Sequence, residues 1–323
     1  MINTFSKTRC SLICLALALG LAGCNNANSP ESPTENGAAS KLQAFVACLN
    51  RADKSLLDKG PKYQQLFKTV AASPGKDHNL APFNSFKIEP YETNNSFSRE
   101  CIDGLSKAVE QNPADPVLDE IGRDYAKTLE SMIPVMNEID NYYAQQDYRD
   151  DKMEKGKALD SQIMPLLVHL SELSGKMRQE VDVRQDQLAD ARLADIEKAE
   201  GKEFTWQTEN VMLQARRTLT SIDNAFSGKK PDLDKLNESE AQMQKAFDSA
   251  LAYGKANPDV KTKLGNQPLW FHLQANAQNY LQAIKTLRRD AAENKRDLSE
   301  DMRKLGEAYN RLVQNYNLRA RLQ

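Results

Sequence analysis

Apolar residues recur at steps of three and four over two stretches too long to be strands. Leu118, Ile121, Tyr125, Leu129, Met132, Met136, Ile139 and Tyr143 form the first. Leu159, Ile163, Leu166, Leu170, Leu173, Met177, Val181 and Leu188 form the second. This period gathers the side chains on one face of an α-helix and would scatter them over both faces of a strand. A stripe of that width must be covered by another element, so each helix needs packed neighbours. The composition agrees: only 14 glycines in 323 residues, 7% aromatics and 27% charged residues. That balance suits amphipathic helices. No period-two alternation is sustained anywhere. The reading is an all-α fold, an elongated antiparallel helical bundle with long coiled-coil-like helices.

The element boundaries follow from local chemistry. Asp115 precedes Pro116, an acidic cap before a proline at the first helical position. Pro134 falls inside the first long helix and predicts a kink. Glu180–Arg184 and Asp195–Lys198 sit at helical ion-pair spacing in the second, which runs to about residue 199. Upstream, Leu42, Phe45, Val46 and Leu49 mark a helix from Lys41, and Tyr63, Leu66, Phe67 and Val70 a second. Residues 74–97, rich in Pro, Asn and Ser, read as a loop before a short helix around Cys101, Leu105 and Val109. Beyond Gly201, one helix carries Leu213 to Phe226 and another Leu233 to Leu251. From Trp270 the stripe continues through Tyr280, Ile284, Leu305, Tyr309 and Tyr316 without a proline. It reads as one helix of about 50 residues, roughly 75 Å long, in preference to two helices broken near Asn294 with Asp297 and Glu300 as a capping box.

The first 23 residues have a different character. Lys7 and Arg9 precede an apolar run from Cys10 to Ala22, with no acidic residue. That is the order of a secretory signal, and the run falls short of the roughly 20 residues that span a bilayer. It ends Leu21-Ala22-Gly23-Cys24, which resembles the lipobox of bacterial lipoproteins. The resemblance implies cleavage before Cys24 and three acyl chains on that residue. With Asn25 rather than Asp next, it implies the outer membrane of a two-membrane bacterium, facing the periplasm. Residues 25–40 hold no apolar side chain larger than Ala or Pro and read as a disordered tether reaching roughly 20–25 Å. The expected organisation is a signal peptide over 1–23, a lipidated tether over 24–40 and a helical bundle over 41–323. A subdomain break near residue 200 stays open.

The cleaved chain would keep 41 basic residues (43 less Lys7 and Arg9) against 45 acidic ones. A net charge of −4 without a concentrated basic face argues against nucleic acid as a partner. Of the five cysteines, Cys10 and Cys14 leave with the signal and Cys24 takes lipid, so Cys48 and Cys101 remain. In an oxidising compartment they are expected to pair.

Chemical motifs are scarce. Asp147, Asp150 and Asp151 lie together in Asp147-Tyr148-Arg149-Asp150-Asp151-Lys152, but lack the spacing and glycine of a calcium loop. They read as caps in a solvated connection. His78, His169 and His272 fall in separate regions, with His169 expected half-buried among Leu166, Leu167 and Leu170. No nucleophile–base pattern, phosphate loop or metal set is present. No catalytic residue, metal or cofactor is expected. Three stretches, Phe45-Val46-Ala47-Cys48-Leu49-Asn50, Tyr142 through Lys157, and Ala308-Tyr309-Asn310-Arg311-Leu312-Val313, together with the lipobox, resemble the YiiG-like family of uncharacterised bacterial lipoproteins. That resemblance implies a helical lipoprotein and brings no activity. The functional expectation is a non-enzymatic module that binds an envelope protein partner or spaces envelope components, held to a membrane by its N-terminal lipid. The alternative is a periplasmic ligand-binding or sequestering protein with an apolar groove lined by Trp270, Tyr280 or Phe226.

Overall fold

The computed structural model describes residues 33–80, 98–228, 230–262, 264–295 and 297–320. Cys24, the signal segment, the tether up to residue 32 and most of the expected loop (81–97) lie outside the described residues. Nine α-helices and no strand occur among the described residues. The chain divides into two compact units, and the division falls between Gln185 and Asp186, inside a continuous helix.

Unit 1 contains α1 (Pro33–Cys48), α2 (Lys54–Ala72), α3 (Gly104–Ala108), α4 (Pro116–Ala144) and the first part of α5 (Glu154–Glu200). Two π turns, Leu49–Asp53 and Ser98–Asp103, lead into α2 and α3. Asp115 caps α4, its carboxylate accepting the Leu118 N–H at 3.2 Å, with Pro116 in the first turn as the sequence predicts. α4 and α5 are antiparallel: Glu138 pairs with Lys155 near one end and Asp115 with Arg184 near the other. α1 lies along α4, with Phe45 over Gly122. α2 lies along α5, with Gly60 near Leu167.

Helix α1 begins eight residues earlier than the composition predicts, so the expected tether cannot run to Ser40. The residues that look too small for a core are small because a neighbour is close. Ala39 is buried, and a Cβ on Gly37 would meet the Asn112 carbonyl oxygen at 2.6 Å. Gly122 is a second such approach. A methyl there would lie 2.8 Å from Cε1 and 3.0 Å from Cζ of the buried Phe45 ring. Gly122→Ala is therefore expected to cost about 1–3 kcal/mol, because a buried ring has no solvent to move into. Urea melts of the variant check this; an unchanged midpoint would mean that α1 shifts freely.

Cys48, at the end of α1, is joined by a disulfide to Cys101 in the second π turn, both fully buried. The bond closes a span of 53 residues. A loop of that size removes about 4 kcal/mol of conformational freedom from the unfolded chain, before native-state strain.

Unit 2 is an up-down-up-down four-helix bundle with the last part of α5 beside it. Its helices are α6 (Phe204–Ala225), α7 (Leu233–Ala256), α8 (Leu269–Ala292) and α9 (Ser299–Ala320). The alternation is explicit in the contacts. Gln207 meets Ser249 and Ser221 meets Ser239 between α6 and α7; Arg288 meets Glu240 between α7 and α8; Tyr309 meets Tyr280 between α8 and α9. Trp270, Ile284, Met243, Leu305 and Leu312 fill the centre.

The single long helix expected over 269–323 is two helices. α8 ends at Ala292, Asn294 takes a left-handed φ of 54°, and α9 starts at Ser299. Asp297 accepts the Ser299 N–H at 2.9 Å, an Asx turn into α9 in place of a full capping box. The reversal wins because it lays the second half of the stripe on the first, burying Tyr309 beside Tyr280. Extended in one line, that half would have faced water.

Candidate functional site

The densest chemistry of unit 1 is the connection between α4 and α5, the stretch Tyr142–Lys157. A short 3-10 turn, Asp147–Arg149, breaks the chain out of α4. Three non-glycine residues adopt positive φ within eight positions: Gln146 at 61°, Lys152 at 52° and Met153 at 70°. Left-handed conformations are costly for such side chains and persist only where surroundings over-determine them. Here the surroundings are aromatic. Tyr142, Tyr143, Tyr148 and Met153 are all buried. The ring centroids of Tyr142 and Tyr143 lie 5.0 Å apart, edge to face, and those of Tyr143 and Tyr148 lie 5.9 Å apart. The Met153 sulfur faces the hydroxyls of Tyr142 and Tyr143 at 3.8 and 3.9 Å.

Asp151 organises the entry into α5. It accepts the Tyr142 hydroxyl at 2.8 Å and the backbone N–H groups of Met153 and Lys155, each at 2.9 Å. Burial pushes its carboxyl up, but these donors together win and hold it below its ordinary 3.8. Asp151 thus acts as the cap expected of this cluster. Asp150 is exposed, and Asp147 closes the 3-10 turn through its backbone carbonyl. Among the described residues, no three His, Cys, Asp or Glu side chains come together as a metal site.

Two further polar knots hold helices to one another. Asp53, fully buried at the end of the first π turn, accepts from Tyr125 at 2.8 Å, Ser174 at 2.7 Å and Arg178 at 2.5 Å. Burial, and the Asp53 carboxylate beside it, push the Tyr125 hydroxyl well above its ordinary 10.0. Lys41, only 3% exposed, donates to the carbonyls of Gln111 and Pro113 and to Asp119. Asp119 also accepts the Asp115 N–H, and Asp115 takes Arg184 in two contacts at 2.7 and 3.0 Å. Arg184 reaches Glu180 as well, the pair expected from helical spacing. No local pattern could have announced the Asp53 knot, because its partners lie 72 to 125 residues away.

The histidines stay apart. His78 sits beside Tyr148, with ring centroids 6.2 Å apart, and donates to the Ser73 carbonyl. His272 is half-buried on α8. His169 is exposed, against the expectation of half-burial, because Leu167 and Leu170 take the inward face of α5 and turn it outward. In unit 2, Trp270 and Tyr280 are fully buried and Phe226 packs against the core. The aromatics that an apolar groove would use are spent on packing. An open groove of about 390 Å³ runs instead between α8 and α9, lined by Asn276, Asn279, Gln282, Thr286, Asp301, Lys304 and Arg311 over Ala283 and Ala308. Its lining is mixed, polar and apolar in similar measure, with amides along one wall.

A protein family described as "Protein of unknown function (DUF3829)" matches residues 37–318, both units and nearly every described helix. The chain belongs to the DUF3829 family. The match begins inside α1, consistent with a folded domain that starts ahead of residue 41. This DUF3829 chain is also 25% identical over 250 residues to an uncharacterized protein, YiiG, of Escherichia coli (strain K12), taking in 77% of this chain. It spans 65% of that relative's length. No solved structure matches it.

The carboxylates of unit 1 divide by the sign of their shift. Arg184 hydrogen bonding holds Asp115 below 3.8, as the donors around Asp151 do there. Such groups add stability that is whole above the ordinary carboxyl range and is lost as pH falls through their lowered values. Asp160 is opposite: burial holds it above 3.8 and outweighs the Tyr63 hydrogen bond and Lys68, which both pull it down. Its cost is relieved as pH falls through that raised value, before the other two begin to protonate. Asp160→Asn is expected to raise the urea midpoint at neutral pH and to lose that advantage under acid. An equal gain at every pH would show that Asp160 does not titrate in this way.

Proposed function

We propose that this DUF3829 protein is a lipid-anchored lipoprotein of the cell envelope, held by Cys24 in the outer membrane and facing the periplasm. It serves as a non-enzymatic module that binds an envelope protein or spaces envelope components. The Leu21-Ala22-Gly23-Cys24 segment supports the anchor. The observation that carries the spacing role is α5, one helix of 47 residues. Its part within unit 1, residues 154–185, is about 48 Å long at 1.5 Å per residue. The ionisable groups packed around that part are engaged in holding it. Asp53, Asp115 and Asp151 bind helix ends and neighbouring helices rather than converge on a cleft.

The test is proximity labelling in cells from a ligase fused after residue 323, against a soluble periplasmic control. The expected result is enrichment of one or a few envelope proteins, lost when the anchor is removed. Labelling indistinguishable from the control would overturn the proposal.

A further inference from the structure

The two most exposed large apolar side chains among the described residues are Leu264, 69% exposed, and Leu318, 64%. They lie at the same end of the unit 2 bundle. At that end Phe204 of α6 meets Tyr253 of α7 and Phe271 of α8, and Tyr316 of α9 donates to Glu209 of α6 at 2.5 Å. Leu318 follows in the last turn of α9, and Leu264 stands on the connection between α7 and α8.

Leu264 is not exposed by fraying. The turn beneath it is closed by three hydrogen bonds. Thr262 N–H donates to the Asn266 carbonyl at 2.9 Å, Gly265 N–H to the Thr262 carbonyl at 2.8 Å, and Asn266 N–H to the Thr262 hydroxyl at 3.1 Å. Gly265 supplies the φ of +78° that the turn requires. The structure therefore holds a leucine out in solvent, with Val260 (42% exposed) on the same connection. On the same connection and the helix end before it, Lys255 and Lys261 stand against a single acidic residue, Asp259. Trp206, half-buried in the first turn of α6, brings an indole to this end, with the Lys202 ammonium 4.9 Å from the ring centroid.

We propose that the turn Val260–Gly265 is a lipid-surface contact, in which Leu264 enters the headgroup–acyl boundary of an anionic membrane. A protein partner would ask for a contiguous patch of several hundred Å². A narrow convex turn with one leading leucine does not offer that. A bilayer asks only for an apolar side chain to insert and for cations nearby to meet anionic headgroups. This contact does not need the acyl chains at Cys24, so it can be measured without them.

The probe is the chain from residue 24 onward carrying Cys24→Ser, floated with vesicles of equal parts phosphatidylglycerol and phosphatidylcholine. Binding is expected, falling with added salt and absent from pure phosphatidylcholine. Leu264→Asp should weaken it about tenfold or more, since it replaces an inserting side chain with a repelled charge. Lys261→Glu should weaken it about fivefold or more. Leu233→Asp, at the opposite end of the bundle, should leave it unchanged. Failure of the parent protein to float, or equal flotation of Leu264→Asp, would overturn the proposal. So would an in-cell crosslink to an envelope protein that depends on Leu264 while vesicles do not bind; the turn would then be a protein contact.

Discussion

Under the proposed anchor at Cys24, a chain carrying Cys24→Ala is expected to take up no lipid label and to leave the membrane fraction in a high-salt wash, which also releases the weaker contact at Leu264. That is the largest effect expected of any single substitution here. One acyl chain binds a bilayer marginally, at about 0.8 kcal/mol per buried methylene, and stable attachment takes two signals. Three chains on the residue after Leu21-Ala22-Gly23 would make release negligible. The alanine variant has no thiol to receive them, so the change is nearly all-or-none. Metabolic labelling with a fatty acid, followed by fractionation, reads it directly. Unchanged labelling would refute the anchor. A soluble variant that is still folded would show that anchor and body are separable.

Arg178→Met lowers the stability of unit 1 by about 3–5 kcal/mol. Asp53 has no exposed surface, and Arg178 is the cation that meets it at 2.5 Å. Its other partners among the described residues, Tyr125 and Ser174, offer one neutral donor each. A buried carboxylate left with neutral donors alone bears most of its desolvation cost. In a unit of this size the melting midpoint should fall by roughly 10 °C. Adding Asp53→Asn removes the charge while keeping an acceptor for both hydroxyls, so the double variant should regain more than half of the loss. Arg184→Met is the informative contrast. Arg184 and Asp115 keep 24% and 21% side-chain exposure, so water can replace the lost partner and the cost should stay near 1 kcal/mol. If Arg178→Met costs no more than Arg184→Met, the Asp53 knot is not the clamp described.

The candidate site was only partly legible. Asp151 as a cap could be read from its place before a long apolar period, and Glu180–Arg184 from a spacing of four. The three left-handed residues around it could not be anticipated, because no glycine or asparagine occupies Lys152 or Met153. What fixes them is the packing of Tyr142, Tyr143 and Met153, which exists only once α4 and α5 are antiparallel. In the sequence Lys41 marked only the start of a helix. It is instead a buried cation whose acceptors lie 70 to 78 residues away.

The sequence by itself determined the class of structure and its crosslink. Periodicity is a local property, so the stripes from Leu118 to Leu188 declare helices without reference to any neighbour. Counting leaves Cys48 and Cys101 to pair once the signal and lipid readings are granted, and the structure joins them. Only the tertiary structure decided where the helices turn and what their ends hold. Asn294 reverses the chain because the second half of the stripe gains a partner by folding back. Pro33 to Ser40 becomes helical because Asn112 lies against Gly37 and Ala39 is buried in the packed unit. Asp53 becomes a clamp because burial strips away its water and leaves three residues from two other helices to replace it. Each of these depends on contacts between residues far apart in the chain, which local spacing does not encode.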